Sequence, residues 1–95
     1  MFEVSIIIPT FNEADNILKV MHQIESNLDG CDYEIIIVDD NSPDGTSEIV
    51  KNYSKINNRI SCIKRTWKKG LSSAVVEGVG LSSRRHICVM DGDGQ

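Results

Sequence analysis

The order of short apolar runs and helix-spaced stripes constrains this chain most. Four runs rich in β-branched residues, Val4 to Ile8, Tyr33 to Val38, Ile60 to Ile63 and His86 to Met90, have the length and bounding turn residues of buried strands. Three stretches between them carry apolar residues at helical spacing: Ile17, Met21, Ile24 and Leu28, then Ile49, Val50 and Tyr53, then Leu71, Ala74, Val75 and Val79. Each helix must bury its one apolar face against a sheet. Strand alternating with helix therefore predicts an α/β fold with a parallel sheet and right-handed crossovers. Asn12, with Asp15 three residues on, is expected to cap the first helix, and Thr46 after Gly45 to open the second. The final residues, Asp91-Gly92-Asp93-Gly94-Gln95, follow directly on the fourth run with no helix after it, which reads as a domain cut short after its fourth strand.

Composition removes whole classes. At 95 residues and 10.6 kDa the chain is one small domain or a piece of a larger one. No apolar run approaches the ~18 residues of a membrane span. The start, Met1-Phe2-Glu3-Val4, lacks the basic and apolar regions of a secretory signal, and the three cysteines, Cys31, Cys62 and Cys88, stand far apart. A reduced, cytoplasmic setting is expected. A net charge of −4 argues against nucleic acid as a partner, but the charge is uneven. The first fifty residues hold eleven acids and one base, the remainder nine bases and three acids.

In open parallel sheets ligands bind beyond the carboxyl ends of the strands. That rule selects residues 9–13, 39–45, 65–70 and 91–95. In the last of these, Asp91 and Asp93 are two apart, so on an extended segment both carboxylates point the same way and can converge on one divalent cation. Hard oxygen ligands suit Mg²⁺ or Mn²⁺, and Gln95 adds an amide oxygen on the same side. The competing reading is a solvated Gly-Asp turn.

The other loops are read by elimination. An EF-hand starting at Asp40 would need Glu at position twelve, where Lys51 stands, and a helix in place of the preceding strand, so calcium is rejected. What remains is a strand-end carboxylate able to accept hydrogen bonds from a base or ribose, followed by a Pro43-Asp44-Gly45 turn. Neither G-x-G-x-x-G nor G-x-x-x-x-G-K-[ST] occurs, which excludes classical dinucleotide and P-loop binding. Glu13 gains dipole stabilisation near a helix start whether or not it binds anything. Lys68 and Lys69, just ahead of the third helix, meet either phosphate oxygens or solvent. His22 and His86 lack partners at metal spacing, and Cys88, in an expected buried strand, reads as an inert core thiol.

Four segments, S-I-I-I-P-T-F-N-E, I-I-I-V-D-D-N-S-P-D-G-T, K-K-G-L-S-S-A and V-M-D-G-D-G-Q, together resemble family 2 glycosyltransferases of the GT-A fold. Within that family the likeness is to the polyprenyl (dolichyl) phosphate mannosyl and glucosyl synthases. The resemblance implies a Rossmann-like parallel sheet over residues 1–95, a nucleotide-diphosphate sugar (GDP-mannose or a UDP-sugar) as donor, and Mg²⁺ or Mn²⁺. It implies that Pro9, Phe11 and Glu13 line the nucleoside pocket, that Val38 and Asp40 contact base or ribose, and that Lys69 and Ala74 border it. Asp91 and Asp93 match the D-x-D element and would act in catalysis through the metal, with Gln95 as a further metal or phosphate contact. Phe11 stands where Tyr is usual and Ser72 where Gly is frequent.

The implied acceptor is a polyprenyl phosphate, which would bring the whole enzyme to the cytoplasmic face of a membrane. The residues that bind it would follow Gln95, so the 95-residue chain is expected to be inactive as a transferase and to self-associate through its uncovered fourth strand. Two other classes stand beside this one. One is a non-catalytic nucleotide-binding module. The other is a phospho-receiver-like signalling domain, in which Asp39 and Asp40 would be the acidic pair that ends a strand.

Overall fold

A computed structural model describes residues 3–66, 71–83 and 86–90. The elements follow the expected alternation: β1 (Glu3–Thr10), α1 (Ile17–Asn27), β2 (Asp32–Asp39), α2 (Thr46–Ser54), β3 (Ile60–Lys64), α3 (Leu71–Leu81) and β4 (His86–Val89). The strands form one sheet in the order β3-β2-β1-β4, with every neighbouring pair parallel. Ile6 lies opposite Ile35, and Thr10 opposite Asp39, so β1 and β2 end level with each other.

Side-chain alternation divides the core in two. Val4, Ile6 and Ile8 of β1, with Tyr33, Ile35 and Ile37 of β2 and Ile60 of β3, pack with Ile17, Val20, Met21 and Ile24 of α1 and Val50 of α2. The intervening residues, Ile7, Ile36 and Val38, pack with Ala74 of α3 on the other face. Covering on both faces is why β1 and β2 read as continuous apolar runs and not as alternating ones.

Three local expectations are corrected. Asn12 does not cap α1: the helix starts at Ile17 with Asn16 at its N-cap and no side-chain cap, because Asn12 is drawn into a loop tie described below. In α3 Ala74 is buried as expected, but the buried position a turn further on is Gly78, whereas Val79 is exposed; the Leu71 side chain lies outside the description. Cys88 is exposed and not in the core. β4 is an edge strand of the described sheet, and α3 packs on β1 and β2, so Ile87 and Val89 stay 45% and 47% exposed. No helix among the described residues is long and apolar enough to cross a membrane.

Candidate functional site

The carboxyl ends of β1 and β2 are locked together by one buried carboxylate. Asp39 has no solvent exposure. Its Oδ1 accepts the Thr10 hydroxyl at 2.7 Å and the Ser42 hydroxyl at 2.6 Å, and its Oδ2 accepts the Ser42 N–H at 2.9 Å. A buried carboxylate is tolerated where donors replace its water, as these three do. The backbone continues the sheet past the strand ends, with Asp40 N–H donating to the Thr10 carbonyl at 3.0 Å and Arg65 N–H to the Asp39 carbonyl at 2.8 Å.

Beyond the strands the two loops run as a pair. Asn12 and Asn41, each two residues past its strand, sit at φ 57° and 56°, a left-handed conformation that Asn adopts more readily than most residues. Asn12 N–H donates to Ser42 Oγ at 2.8 Å, Glu13 N–H to Thr46 Oγ1 at 3.0 Å and Ala14 N–H to Asp44 Oδ2 at 3.1 Å. The Thr46 N–H and hydroxyl both donate to Asp44 Oδ1, at 3.1 and 2.5 Å, across Gly45 at φ 89°. The Asp44 carboxylate thus satisfies an orphan N–H at the start of α2 and ties in the first loop as well. Chiefly the Thr46 hydroxyl, helped by the Ala14 and Thr46 amides, holds its carboxyl below the usual carboxylate range.

The second acid of the strand end faces the other side of the sheet. Asp40 Oδ1 accepts Arg65 Nε–H at 2.6 Å and also pairs with Arg65 Nη2. Arg65 Nη1 lies 3.6 Å from Glu77 Oε1 of α3. The Arg65 side chain has no exposure, which makes it the largest fully buried side chain among the described residues. Its neighbour in sequence, Lys64, lies 4.0 Å from Glu48 on the α2 side.

Besides Asp40, the expected site residues fall into three groups. Phe11 is half exposed, and Pro9 and Glu13 are half-buried, at the rim of the paired loops. Val38 and Ala74 are buried with Ile7 and Ile36, so their side chains form packing beneath the strand ends. Lys69, Asp91, Asp93 and Gln95 lie outside the described residues. The chain reaches that last segment from Met90, whose N–H donates to the Ile7 carbonyl at 3.0 Å and so keeps β4 beside β1. Among the described residues, no three His, Cys, Asp or Glu side chains gather as a metal would require. Sequence reasoning missed Arg65, Glu77 and the Ser42 and Thr46 hydroxyls. Arg65 lies two residues after Ile63, on the α3 face by strand alternation, and that spacing was the available signal.

Residues 5–95 match the family described as Glycosyl transferase family 2. The chain belongs to that family of transferase enzymes. It is 44% identical over 91 residues to a dolichol-phosphate mannosyltransferase of Pyrococcus furiosus, covering 96% of this chain and 26% of that protein. Glycosyltransferase AglE of Haloferax volcanii is 34% identical over 91 residues, covering 95% of this chain and 30% of that one. The chain thus spans about a quarter to a third of these relatives. Among solved structures, the mannosyltransferase PcManGT from Pyrobaculum calidifontis, in complex with GDP-Man and Mn²⁺, has a TM-score of 0.84 at 24% identity, over 95% of this chain and 27% of that one. S. aureus TarS residues 1–349, in complex with UDP-GlcNAc, has a TM-score of 0.79 at 21% identity, over 97% of this chain and 27% of that one. The fold of this family 2 chain is GT-A.

The receiver-like alternative is overturned. Receiver-type sheets place β1 between β2 and β3, whereas here β2 separates β1 from β3. Asp39 is consumed by Thr10 and Ser42, and Asp40 is paired with Arg65 on the opposite face, so the two acids do not form one metal-binding pair.

Proposed function

We propose that this chain forms the donor-binding part of a glycosyltransferase that moves a hexose from a nucleotide-diphosphate sugar to a polyprenyl phosphate. The observation that carries the reading is the tie between the strand-end loops, which sets Phe11, Glu13 and Asp40 along one edge of the sheet. Phe11 offers an exposed ring to stack on a base, Pro9 and Glu13 flank it, and Val38 and Ala74 make an apolar floor. Lys69 would meet the nucleotide from the third loop.

GDP-mannose is the favoured donor over a UDP-sugar. A carboxylate such as Asp40 accepts hydrogen bonds, and guanine presents two adjacent donors, N1–H and the 2-amino group; uracil presents one N–H between two carbonyls. The relation to the Pyrococcus mannosyltransferase and the GDP-Man bound by the Pyrobaculum enzyme support the same choice.

Asp91, Asp93 and Gln95 would hold the Mg²⁺ or Mn²⁺, since two carboxylates and an amide are the hard oxygen donors these ions take. When bound, the ion supplies Lewis-acid stabilisation of charge on the leaving diphosphate. A lipid phosphate acceptor is already anionic and needs little help from a general base. This acceptor would bring the enzyme to a membrane surface, on the cytoplasmic side in this reading. The chain by itself would lack transferase activity and self-associate through β4. Calorimetry with Mn²⁺ and GDP is the test: metal-dependent binding that Asp93→Ala weakens is expected, and equal binding by Asp93→Ala removes the metal role.

A further inference from the structure

We propose that Arg65 is a positioning residue for base recognition, its buried guanidinium fixing the Asp40 carboxylate in the direction from which it accepts the donors of guanine. The inference rests on the nucleotide-binding reading above and goes beyond it, to how the base is distinguished. Three observations lead there. Arg65 has no exposure although it follows directly on a strand end, where a long cation would ordinarily reach into solvent. Two of its nitrogens, Nε and Nη2, engage the same oxygen of Asp40, a two-point contact that pins Oδ1 in place. The guanidinium is itself braced, with Nη1 3.6 Å from Glu77 on α3 and its own backbone N–H on the Asp39 carbonyl.

Stability alone does not account for this arrangement, because a buried ion pair is frequently replaced by apolar side chains at no loss. Direction does account for it. Asp40 begins the loop after β2, at the strand-end edge where ligands of such sheets bind, and an unbraced carboxylate there would turn about its side-chain torsions. Turned inward on Asp40 and Glu77, the guanidinium is held away from solvent. A Lys at this position keeps the charge but is a point donor and cannot reproduce the two-nitrogen contact.

The discriminating measurement uses GDP and inosine diphosphate, which lacks only the 2-amino group, titrated into the 95-residue chain with Mn²⁺. Wild-type protein is expected to prefer GDP by about tenfold, the loss typical of a hydrogen bond to a charged group. Arg65→Lys is expected to bring that ratio below about threefold, whereas Ile24→Val, a core truncation on the α1 side, lowers stability and leaves the ratio unchanged. A cooperatively melting Arg65→Lys with the wild-type ratio overturns the inference, as does a wild type that binds the two nucleotides equally. Failure of the wild type to bind any nucleoside diphosphate overturns the nucleotide reading itself. Should Arg65→Lys not fold, the Nε–H resonance of wild-type Arg65 decides: it is expected to be protected from exchange and to shift more with GDP than with inosine diphosphate, and an equal shift with both overturns the role.

Discussion

Gly78 of α3 lies directly on Ile7 of β1, so close that a Cβ on the glycine would stand 2.5 Å from Ile7 Cγ2. That methyl belongs to a β-branched side chain fixed in the sheet, and it has little room to turn aside. The glycine is therefore what lets α3 settle on the central strands, and with it the Glu77 that braces Arg65. Gly78→Ala gains ~1 kcal/mol of helix propensity but overpacks a filled contact, which costs ~1–3 kcal/mol. We expect a net loss of about 1 kcal/mol by urea denaturation; a more stable Gly78→Ala would show that α3 can lift away freely.

Asp39 is expected to matter for structure alone, Asp40 for structure and for the nucleotide. Asp39→Asn turns an amide N–H₂ towards hydroxyl or amide donors that now meet an oxygen, and should cost ~1–3 kcal/mol. Asp40→Asn should cost stability too, because it leaves the buried Arg65 charge short of its counter-ion, and should cost GDP affinity in addition. Thermal melts and nucleotide titration of the two variants side by side check this, and GDP affinity that falls with Asp39→Asn but not with Asp40→Asn would contradict it.

The Asp44 carboxyl carries a pH dependence of known sign. Its folded-state pKa is depressed, mainly by the Thr46 hydroxyl, so its stabilisation is complete above the unfolded carboxylate pKa and is lost as pH falls through the lower folded value. We expect the backbone amides of Glu13 and Ala14 to lose exchange protection on acidification below about pH 4, the ordinary Asp range. Asp44→Asn should remove that acid-range change.

How much of this was legible in the sequence depended on whether the deciding partner was local. β1 and β2 are covered on both faces and announce themselves as apolar runs; β4 has the same residue types, yet its place at the sheet edge is set by topology, so Cys88 was misplaced in the core. Asn12 looked like a helix cap because its true partner, Ser42, is 30 residues away. Arg65 looked like one more of the nine bases after residue 50, since Asp40 meets it only when β3 lies beside β2. The separate fates of Asp39 and Asp40 follow from strand alternation, and the residues at the strand ends were visible from the rule that ligands bind there.

Thiol chemistry offers a check on the sheet edge. Burial pushes the Cys62 thiol up to about 11, whereas Cys88 on β4 is exposed. Alkylation near pH 8 should modify Cys88 first and Cys62 last, because the thiolate is the nucleophile. If β4 is also the self-association surface, Cys88 protection should rise with protein concentration, together with sedimentation as a dimer or larger species. Val89→Lys should hold the chain monomeric; unchanged association in that variant would move the contact elsewhere.

The nucleotide is expected to bind at the carboxyl edge of the sheet, on the paired loops. The most direct measurement is a backbone amide titration of the 95-residue chain with GDP and Mg²⁺. Shifts confined to residues 10–14, 39–46, 65–70 and 91–95, with the loops at the opposite edge unmoved, are the predicted result; shifts centred on residues 28–32 and 55–59, or none at saturating GDP, would contradict it.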